Sequence, residues 1–211
     1  MITDTEVNIE NELKKALEII DENWSMQNNI NDYKSNFIYN TLTLDEVIKK
    51  AQENKIDVKY AVHRWYNFHT SITCEKIFTE FGAIKEQNIK HKKIDIYLNE
   101  VPFDVKLTVY PKKLSEHPYD LNTREGKNEM IKWMYANQSQ EGRKHLANRL
   151  FIVCDGKNSY DNLCLKSDFT QIRDKIKKYV DYTNKNGFNE IIIEDQGETY
   201  KVCSDIIYIE N

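Results

Sequence analysis

The sequence predicts a mixed α/β domain behind a helical N-terminal region. Residues 93–98 and 101–110 alternate between apolar and polar side chains, which is typical of β-strands. Residues 149–154 form a nearly continuous apolar run, as expected for a strand that is buried on both faces. Most of the remaining chain carries apolar residues at helical spacing. Helices that alternate with strands indicate a sheet flanked by helices, so we expect a helical region at 1–56 and an α/β domain at 57–211.

The other elements follow from the same patterns. Helices are predicted at 6–24, 44–55, 58–81, 124–144 and 168–183, and further strands at 189–194 and 199–209. Thr43 to Glu46 have the spacing of a capping box, which predicts that Thr43 caps the second helix. The third helix is expected to be interrupted near residues 69–71 and to end at Gly82, because glycine is favoured after the last helical turn.

Composition excludes several classes of protein. The 211 residues are 40% hydrophobic and 30% charged, and no apolar run approaches the roughly 20 residues of a bilayer span. The N-terminus is acidic where a signal peptide would be basic, so we expect a cytoplasmic protein that is neither secreted nor membrane-bound. The cysteines lack CxxC spacing, which argues against a zinc site and against a disulfide framework. They are Cys74, Cys154, Cys164 and Cys203.

The hairpin predicted at 93–110 carries the candidate chemistry. A two-residue turn at Asn99-Glu100 gives cross-strand partners whose numbers sum to 199, so Asp95 lies opposite Asp104, with Lys106 on the same face. Two carboxylates about 5 Å apart repel each other by on the order of 3 kcal/mol. A bound Mg²⁺ would relieve that repulsion. From spacing alone, a solvated hairpin with a charged outer face is an equally good interpretation.

The local sequence KKIDIYLNEVPFDVKLT resembles the PD-(D/E)XK nuclease superfamily, which has the restriction endonuclease-like fold. Asp95 matches the first acidic position of that motif, and Asp104-Val105-Lys106 matches its second part. Ile94 stands where the motif name has proline, a departure that many members of the family share. The resemblance implies an α/β core with a central mixed β-sheet flanked by helices, here with a helical N-terminal extension.

The order of elements extends the resemblance over residues 70–185. The family has a helix before the hairpin that often carries an acid, and the segment SITCEKIFTEFG matches it. Glu75 is the candidate acid in this helix. Glu80 lies at the other border of the same apolar stripe, so the helical pattern barely separates the two glutamates.

The resemblance implies metal-dependent hydrolysis of a phosphodiester. Asp95 and Asp104 would hold Mg²⁺, for which Mn²⁺ could substitute, with the main-chain carbonyl of Val105 as a further ligand and Glu75 completing the site. Lys106 would orient the attacking water and stabilise the developing negative charge. The catalytic set is thus Asp95, Asp104, Lys106 and Glu75.

Basic residues flank this hairpin, as a polyanionic substrate requires. The candidates for contacts with nucleic acid are Lys85, Lys90, Lys92, Lys93, Lys112, Lys113, Gln140 and Arg143. A solvated loop explains the lysine run equally simply. For Gln140 and Arg143 the alternative is the C-terminal end of a helix, whose dipole favours basic residues.

The net charge of −4 argues against a nucleic-acid substrate only when it is taken as one number. Residues 1–55 carry a net charge of −5, residues 56–150 carry +4 and residues 151–211 carry −3. The segment that holds the candidate site is therefore the only positive one of the three. Its sign permits a polyanionic substrate and indicates where that substrate would bind.

Three functions fit these observations. The first is a DNA endonuclease of the type II restriction or mobile-element kind, acting as a homodimer with one active site for each strand. The second is a non-catalytic module of the same fold that binds nucleic acid or a partner protein. The third is an RNase, or a repair or junction nuclease with the same core.

Overall fold

A mixed six-stranded β-sheet flanked by helices forms the framework of the protein. The computed structural model describes residues 4–20, 28–88, 93–137 and 146–211. In these ranges the α-helices are α1 (Asp4–Ala16), α2 (Asn29–Lys34), α3 (Leu44–Glu53), α4 (Val58–Glu80), α5 (Arg124–Ala136), α6 (Ser159–Ser167) and α7 (Phe169–Asn186). Short 3₁₀-helices span Asn36–Asn40 and Lys112–Leu114. The strands are β1 (Ile84–Lys85), β2 (Ile96–Leu98), β3 (Val101–Val109), β4 (Arg149–Asp155), β5 (Glu190–Asp195) and β6 (Glu198–Glu210).

The sheet has the strand order β1-β2-β3-β4-β6-β5. β1 and β2 pair antiparallel, and so do β2 and β3, whereas β3 is parallel to β4 and β4 is parallel to β6. β5 closes the far edge as an antiparallel neighbour of β6. β4 lies between two parallel strands and is buried at every residue except Asp155, as its apolar run predicts.

The chain divides into two compact units. The first comprises the described residues of Met1–Thr73 together with Gly156–Phe169, and it contains α1, α2, α3, most of α4, and α6. The second comprises the described residues of Cys74–Asp155 and Thr170–Asn211. It contains the whole sheet, α5 and nearly all of α7. The two units are described separately below.

In the first unit, the start of α3 is capped by a residue from α1. Thr43 occupies the N-cap position, but its side chain makes no capping hydrogen bond, so the predicted capping box does not form. Instead, the Leu44 N–H donates to Oε2 of Glu12 at 2.7 Å, and Lys15 Nζ lies 2.5 Å from Oε1 of the same carboxylate. The cap comes from 32 residues away in sequence, which local spacing cannot reveal.

α4 is continuous, and the interruption expected near residues 69–71 is absent. The Thr70 hydroxyl donates to the carbonyl of Tyr66 at 2.9 Å, and the Thr73 hydroxyl donates to the carbonyl of His69 at 2.8 Å. These polar side chains are therefore satisfied within the preceding turn and do not break the helix. Gly82 follows the helix with a φ of 97°, which is the conformation that favours glycine after a helix end.

In the second unit, β2 and β3 form the predicted hairpin in the predicted register. Ile96 pairs with Phe103, and the turn residues Asn99 and Glu100 have φ values of 48° and 65°. Positive φ at both central residues is the requirement of the tight two-residue turn that matches the twist of a hairpin. The pairing that sums to 199 is thus confirmed for β2.

α5 covers one face of the sheet. Met130 and Ile131 are fully buried and belong to one apolar cluster with Phe151 and Val153 of β4 and Ile206 of β6. Burial of side chains of this size stabilises the fold by about 1.5–3 kcal/mol each. The helix that follows the hairpin is therefore fixed against the strands next to the predicted site.

Some elements differ from the sequence prediction. β1 is only two residues long, and α6 lies between β4 and α7 where the sequence predicts no helix. The described part of the helix predicted at 124–144 ends at Ala136, and residues 138–145 lie outside the described ranges. The cysteines are free thiols, as expected. Among the described helices, none combines the length and the apolar character that crossing a bilayer demands.

Candidate active site

Asp95 lies one residue before β2, where the strand pairing ends. Its N–H donates to the carbonyl of Phe103 at 2.8 Å. Its carboxylate Oδ2 accepts a hydrogen bond from the N–H of Val105 at 2.7 Å. The carboxylate therefore reaches across the hairpin and binds the backbone of β3, which anchors it beside Asp104 and Lys106.

Asp104 is buried in β3 and has a cation within ion-pair distance of each carboxylate oxygen. Only 5% of the residue is exposed. Lys106 Nζ lies 2.5 Å from Oδ1, and Arg149 Nε lies 2.9 Å from Oδ2. Two cations thus compensate the charge of a carboxylate that has almost no contact with solvent.

Arg149 is the residue of this site that sequence reasoning missed as a functional residue. It is the first residue of β4 and lies in register with Asp104 of β3, so the two side chains share one face of the sheet. Its guanidinium carbon lies 5.5 Å from the ring centroid of Tyr135 on α5, within the range of a cation–π contact. The sequence did offer a signal for this role, because Arg149 is a basic residue at the start of an otherwise apolar strand.

Glu75 supplies the helix carboxylate, and the structure distinguishes it from Glu80. Glu75 is 8% exposed, and its Oε2 lies 3.2 Å from Lys85 Nζ on β1. It is also close enough to Asp95 to raise the pKa of that residue. Glu80 is instead paired with Arg173 of α7, with Nε to Oε2 at 2.9 Å. Of the two glutamates, Glu75 is therefore the one that lies near Asp95.

The pKa of Asp95 reports the electrostatics of the cluster. The pKa of Asp95 is raised to about 6, mainly by burial and in part by the neighbouring carboxylates of Asp104 and Glu75. The hydrogen bond from the Val105 N–H and the charge of Lys106 act in the opposite direction. Near neutral pH, Asp95 is thus an ionised carboxylate held at an energetic cost, which a cation would reduce.

Together these side chains form a group that we term the acidic site. Its members are the carboxylates of Glu75, Asp95 and Asp104 and the cations Lys85, Lys106 and Arg149. Formally the three negative and three positive charges cancel, so the site is neutral as it stands. Two of its three carboxylates are more than nine-tenths buried. A neutral arrangement is the one that burial of so many charges requires.

The donor set fits a hard divalent cation, although its present pairing competes with one. Carboxylate and carbonyl oxygens are the ligands that Mg²⁺ prefers, and the acidic site offers three carboxylates beside the backbone of Val105. Within the described ranges, however, no group of three or more His, Cys, Asp or Glu side chains is placed to hold a metal ion. Release of Asp104 Oδ1 by the flexible, half-exposed Lys106 would free one ligand atom without moving the backbone.

The residues predicted to contact nucleic acid have different placements. Lys93, Lys112 and Lys113 are exposed on the segments that flank the hairpin. Lys85 is exposed on β1 but is engaged with Glu75. The other four predicted contacts lie outside the described residues; they are Lys90, Lys92, Gln140 and Arg143.

Comparison with known proteins adds no relative to this picture. No protein-family model, curated protein or solved structure matches the chain. The chemistry that the acidic site can perform therefore follows from its own side chains. A buried cluster of carboxylates with half-exposed lysines beside it is suited to binding a divalent cation and a phosphate ester.

Proposed function

We propose that the protein is a Mg²⁺-dependent DNA endonuclease with a restriction endonuclease-like core, of the type II restriction or mobile-element kind. One observation carries the proposal. Asp95, Asp104 and Lys106 match the PD-(D/E)XK motif in sequence, and they lie with Glu75 in one cluster of interacting charges. These four residues come from α4, from the position before β2 and from β3.

The arrangement of elements supports the same proposal. A helix that carries the acid precedes an antiparallel hairpin, and a helix then leads to a buried strand parallel to the second strand of the hairpin. Because β3 and β4 are parallel, the connection between them must cross the sheet, and α5 makes that crossing. This order matches the core that the sequence resemblance implies.

In the proposed reaction, each residue has a distinct task. Asp95, Asp104 and the Val105 carbonyl would hold Mg²⁺, with Glu75 completing the ligand set and Mn²⁺ able to substitute. The bound metal supplies charge neutralisation at the scissile phosphate and lowers the pKa of a bound water. Lys106 leaves Asp104, orients the attacking water and stabilises the negative charge that develops on the phosphate.

Arg149 acts on Asp104 and does not touch the substrate. Its ion pair with Oδ2 holds the carboxylate in place after Lys106 has turned away, and the Tyr135 ring lies beside the guanidinium. Arg149 is thus a positioning residue, and Asp104 keeps one compensating cation throughout the reaction.

Supercoiled plasmid cleavage with Mg²⁺ tests the proposal. The wild-type protein should nick or linearise the plasmid, and chelation should stop the reaction. Asp104→Asn should lower the rate at least about a hundredfold, because even outer-shell partners of a metal are worth 10- to 100-fold. Cutting by the Asp104→Asn protein at the wild-type rate would exclude this mechanism.

Two glutamates of α4 provide a matched pair for the same assay. Glu75→Gln should slow cleavage strongly, whereas Glu80→Gln changes only an exposed ion pair with Arg173 and should leave the rate unchanged. Equal effects of the two substitutions would remove Glu75 from the site. A panel of duplex, single-stranded, branched and RNA substrates then separates a restriction-type enzyme from an RNase or a junction nuclease.

A non-catalytic binding module is the second candidate. The observation that favours it is the engagement of both Asp104 oxygens by Lys106 and Arg149, which makes the site neutral without a metal. Titration calorimetry with Mg²⁺ and Mn²⁺ separates the two functions. The enzyme should bind metal in a manner that Asp95→Asn abolishes, and a module of this kind should bind none. Sedimentation of the free protein and of its DNA complex tests the proposed homodimer.

A further inference from the structure

A second charged region lies in the sheet-containing unit and shares no residue with the acidic site. A cavity of about 300 Å³ opens beside α5, α7 and the part of β6 that follows its pairing with β5. Four basic residues and one buried carboxylate line it; they are Arg124, Lys127, Lys175, Lys178 and Asp205. We term this cavity the basic pocket.

The charges that line the basic pocket do not balance. The buried Asp205 carboxylate is already satisfied, because Arg124 Nη1 and the N–H of Ile206 donate to its Oδ1 at 2.7 and 2.8 Å. Lys178 is paired with Asp174 on the same helix at 2.6 Å. In the part of the chain that the structure describes, neither Lys127 nor Lys175 has a carboxylate within ion-pair distance. Two positive charges are therefore left uncompensated.

Folding stability does not explain these two lysines. Both are partly buried, and lysine is seldom buried unless it is paired. Burial lowers the pKa of Lys127, and the neighbouring charges of Arg124 and Lys175 lower it further against the opposing effect of Asp205. Arg124 and Lys127 also lie in the first turn of α5, where the positive end of the helix dipole repels cations. Such an arrangement stores repulsion that an anion would relieve.

We propose that the basic pocket binds a phosphate group, carried by a nucleotide or by a nucleic-acid strand. The two charges of a phosphate dianion match the two uncompensated ammonium groups, and lysine and arginine supply the donors that phosphate oxygens accept. The cavity is at the lower end of the volumes of small-ligand pockets, so it holds more than the phosphate alone.

Two tyrosines extend the same lining and favour a nucleotide unit as the remainder of the ligand. Tyr179 and Tyr182 of α7 both line the cavity, and Tyr182 is 49% exposed. An exposed ring next to a phosphate-binding cluster gives a nucleobase a surface on which to stack, with little dependence on the base. This inference does not depend on the proposed nuclease activity, because no residue of the acidic site takes part.

Titration calorimetry in the presence of a chelator, without divalent metal, tests the pocket. The probes are inorganic phosphate, adenosine 5′-monophosphate and a short 5′-phosphorylated oligonucleotide. The variants are Lys127→Met and Lys175→Gln, and the matched control is Lys177→Met. Lys177 lies on α7 like Lys175, but it is exposed, is paired with Asp181 and does not line the cavity.

The wild-type protein and the Lys177→Met control should bind at least one probe equally well. Each pocket variant should weaken that binding about tenfold or more, as expected for loss of a charge-assisted hydrogen bond. Binding of the mononucleotide identifies a nucleotide ligand, and binding of the oligonucleotide alone identifies a strand. Failure of the wild type to bind any probe would overturn the inference, as would pocket variants that bind like the wild type.

Two further measurements keep the result interpretable. Thermal melting of every variant identifies the folded ones. If Lys127→Met does not fold, a folded Lys175→Gln protein still decides the outcome of the binding test. The Asp104→Asn protein should bind the probes as the wild type does. Loss of plasmid cleavage and loss of probe binding are therefore separate results, and either proposal can fail without the other.

Discussion

The acidic site and the basic pocket place buried charge in the same unit in opposite ways. In the acidic site, Asp104 has a cation at each oxygen, and the six charges cancel. In the basic pocket, one buried carboxylate faces four basic residues, and Lys127 and Lys175 stay uncompensated. A balanced site is stable when empty and must exchange partners to bind a ligand. An unbalanced site carries repulsion that its ligand removes.

The two arginines give the largest expected contrast between these regions. Arg149→Met should lower the free energy of unfolding by about 3 kcal/mol. The substitution breaks a buried ion pair and leaves part of the Asp104 charge uncompensated. Arg124→Met should cost about 1 kcal/mol, because Arg124 is half-exposed and water can replace it beside Asp205. Urea denaturation measures both values. If the two substitutions lower the free energy of unfolding equally, the proposed difference in charge balance between the two regions is wrong.

The acidic site should also bind metal more weakly in acid. Since burial raises the pKa of Asp95 to about 6, the residue is mostly protonated at pH 5 and mostly ionised at pH 7. A proton and a metal compete for the same carboxylate, so Mg²⁺ affinity should fall about tenfold over that interval. Calorimetry at the two pH values measures the change. Asp95→Asn should remove this dependence of Mg²⁺ affinity on pH. If the dependence persists in Asp95→Asn, another titrating group causes it.

The sign of the corresponding stability change is fixed by the same shift. An unfolded aspartate titrates near 3.8, so the folded chain binds the Asp95 proton more tightly than the unfolded chain does. The cost of burying the charge is absent below that pH and fully present above about 6. Asp95→Asn should therefore stabilise the metal-free protein at pH 8 and have little effect at pH 3.5.

The smallest expected effect is a gain of stability in the basic pocket. Lys127→Met removes an uncompensated, partly buried charge and keeps an apolar stem of similar length, so it should raise the free energy of unfolding by up to about 1 kcal/mol. Lys132→Met on the same helix alters only an exposed pair with Glu129 and should stay within about 0.5 kcal/mol of wild type. A destabilised Lys127→Met protein would mean that the lysine is compensated after all.

Sequence reasoning predicted the elements of the fold that depend on local periodicity. The hairpin register followed from its two-residue turn and its alternation, and the position of β4 followed from its apolar run. The same periodicity placed the acids and Lys106 near one another. What it did not give was the exact relation of the two aspartates, because β2 begins only at Ile96 and Asp95 binds the Val105 N–H from the position before the strand.

The remaining features depend on contacts between residues that are distant in sequence. Arg149 reaches Asp104 only because β4 lies parallel to β3 in one particular register, which no local pattern encodes. Glu75 and Glu80 differ in their partners, Lys85 and Arg173, and not in their own sequence environment. The basic pocket likewise lies beside α5, α7 and the part of β6 that follows its pairing with β5, so its four cations are scattered over 55 positions.

The Glu12 cap has a consequence for the order in which the first unit can form. The Leu44 amide gains its Glu12 acceptor only when α1 has docked, so the N-terminus of α3 lacks this cap until then. Amide hydrogen exchange at Leu44 should therefore report on the attachment of α1, although the amide lies in a different helix. In Glu12→Gln that amide should exchange faster, while amides in the middle of α3 keep their protection.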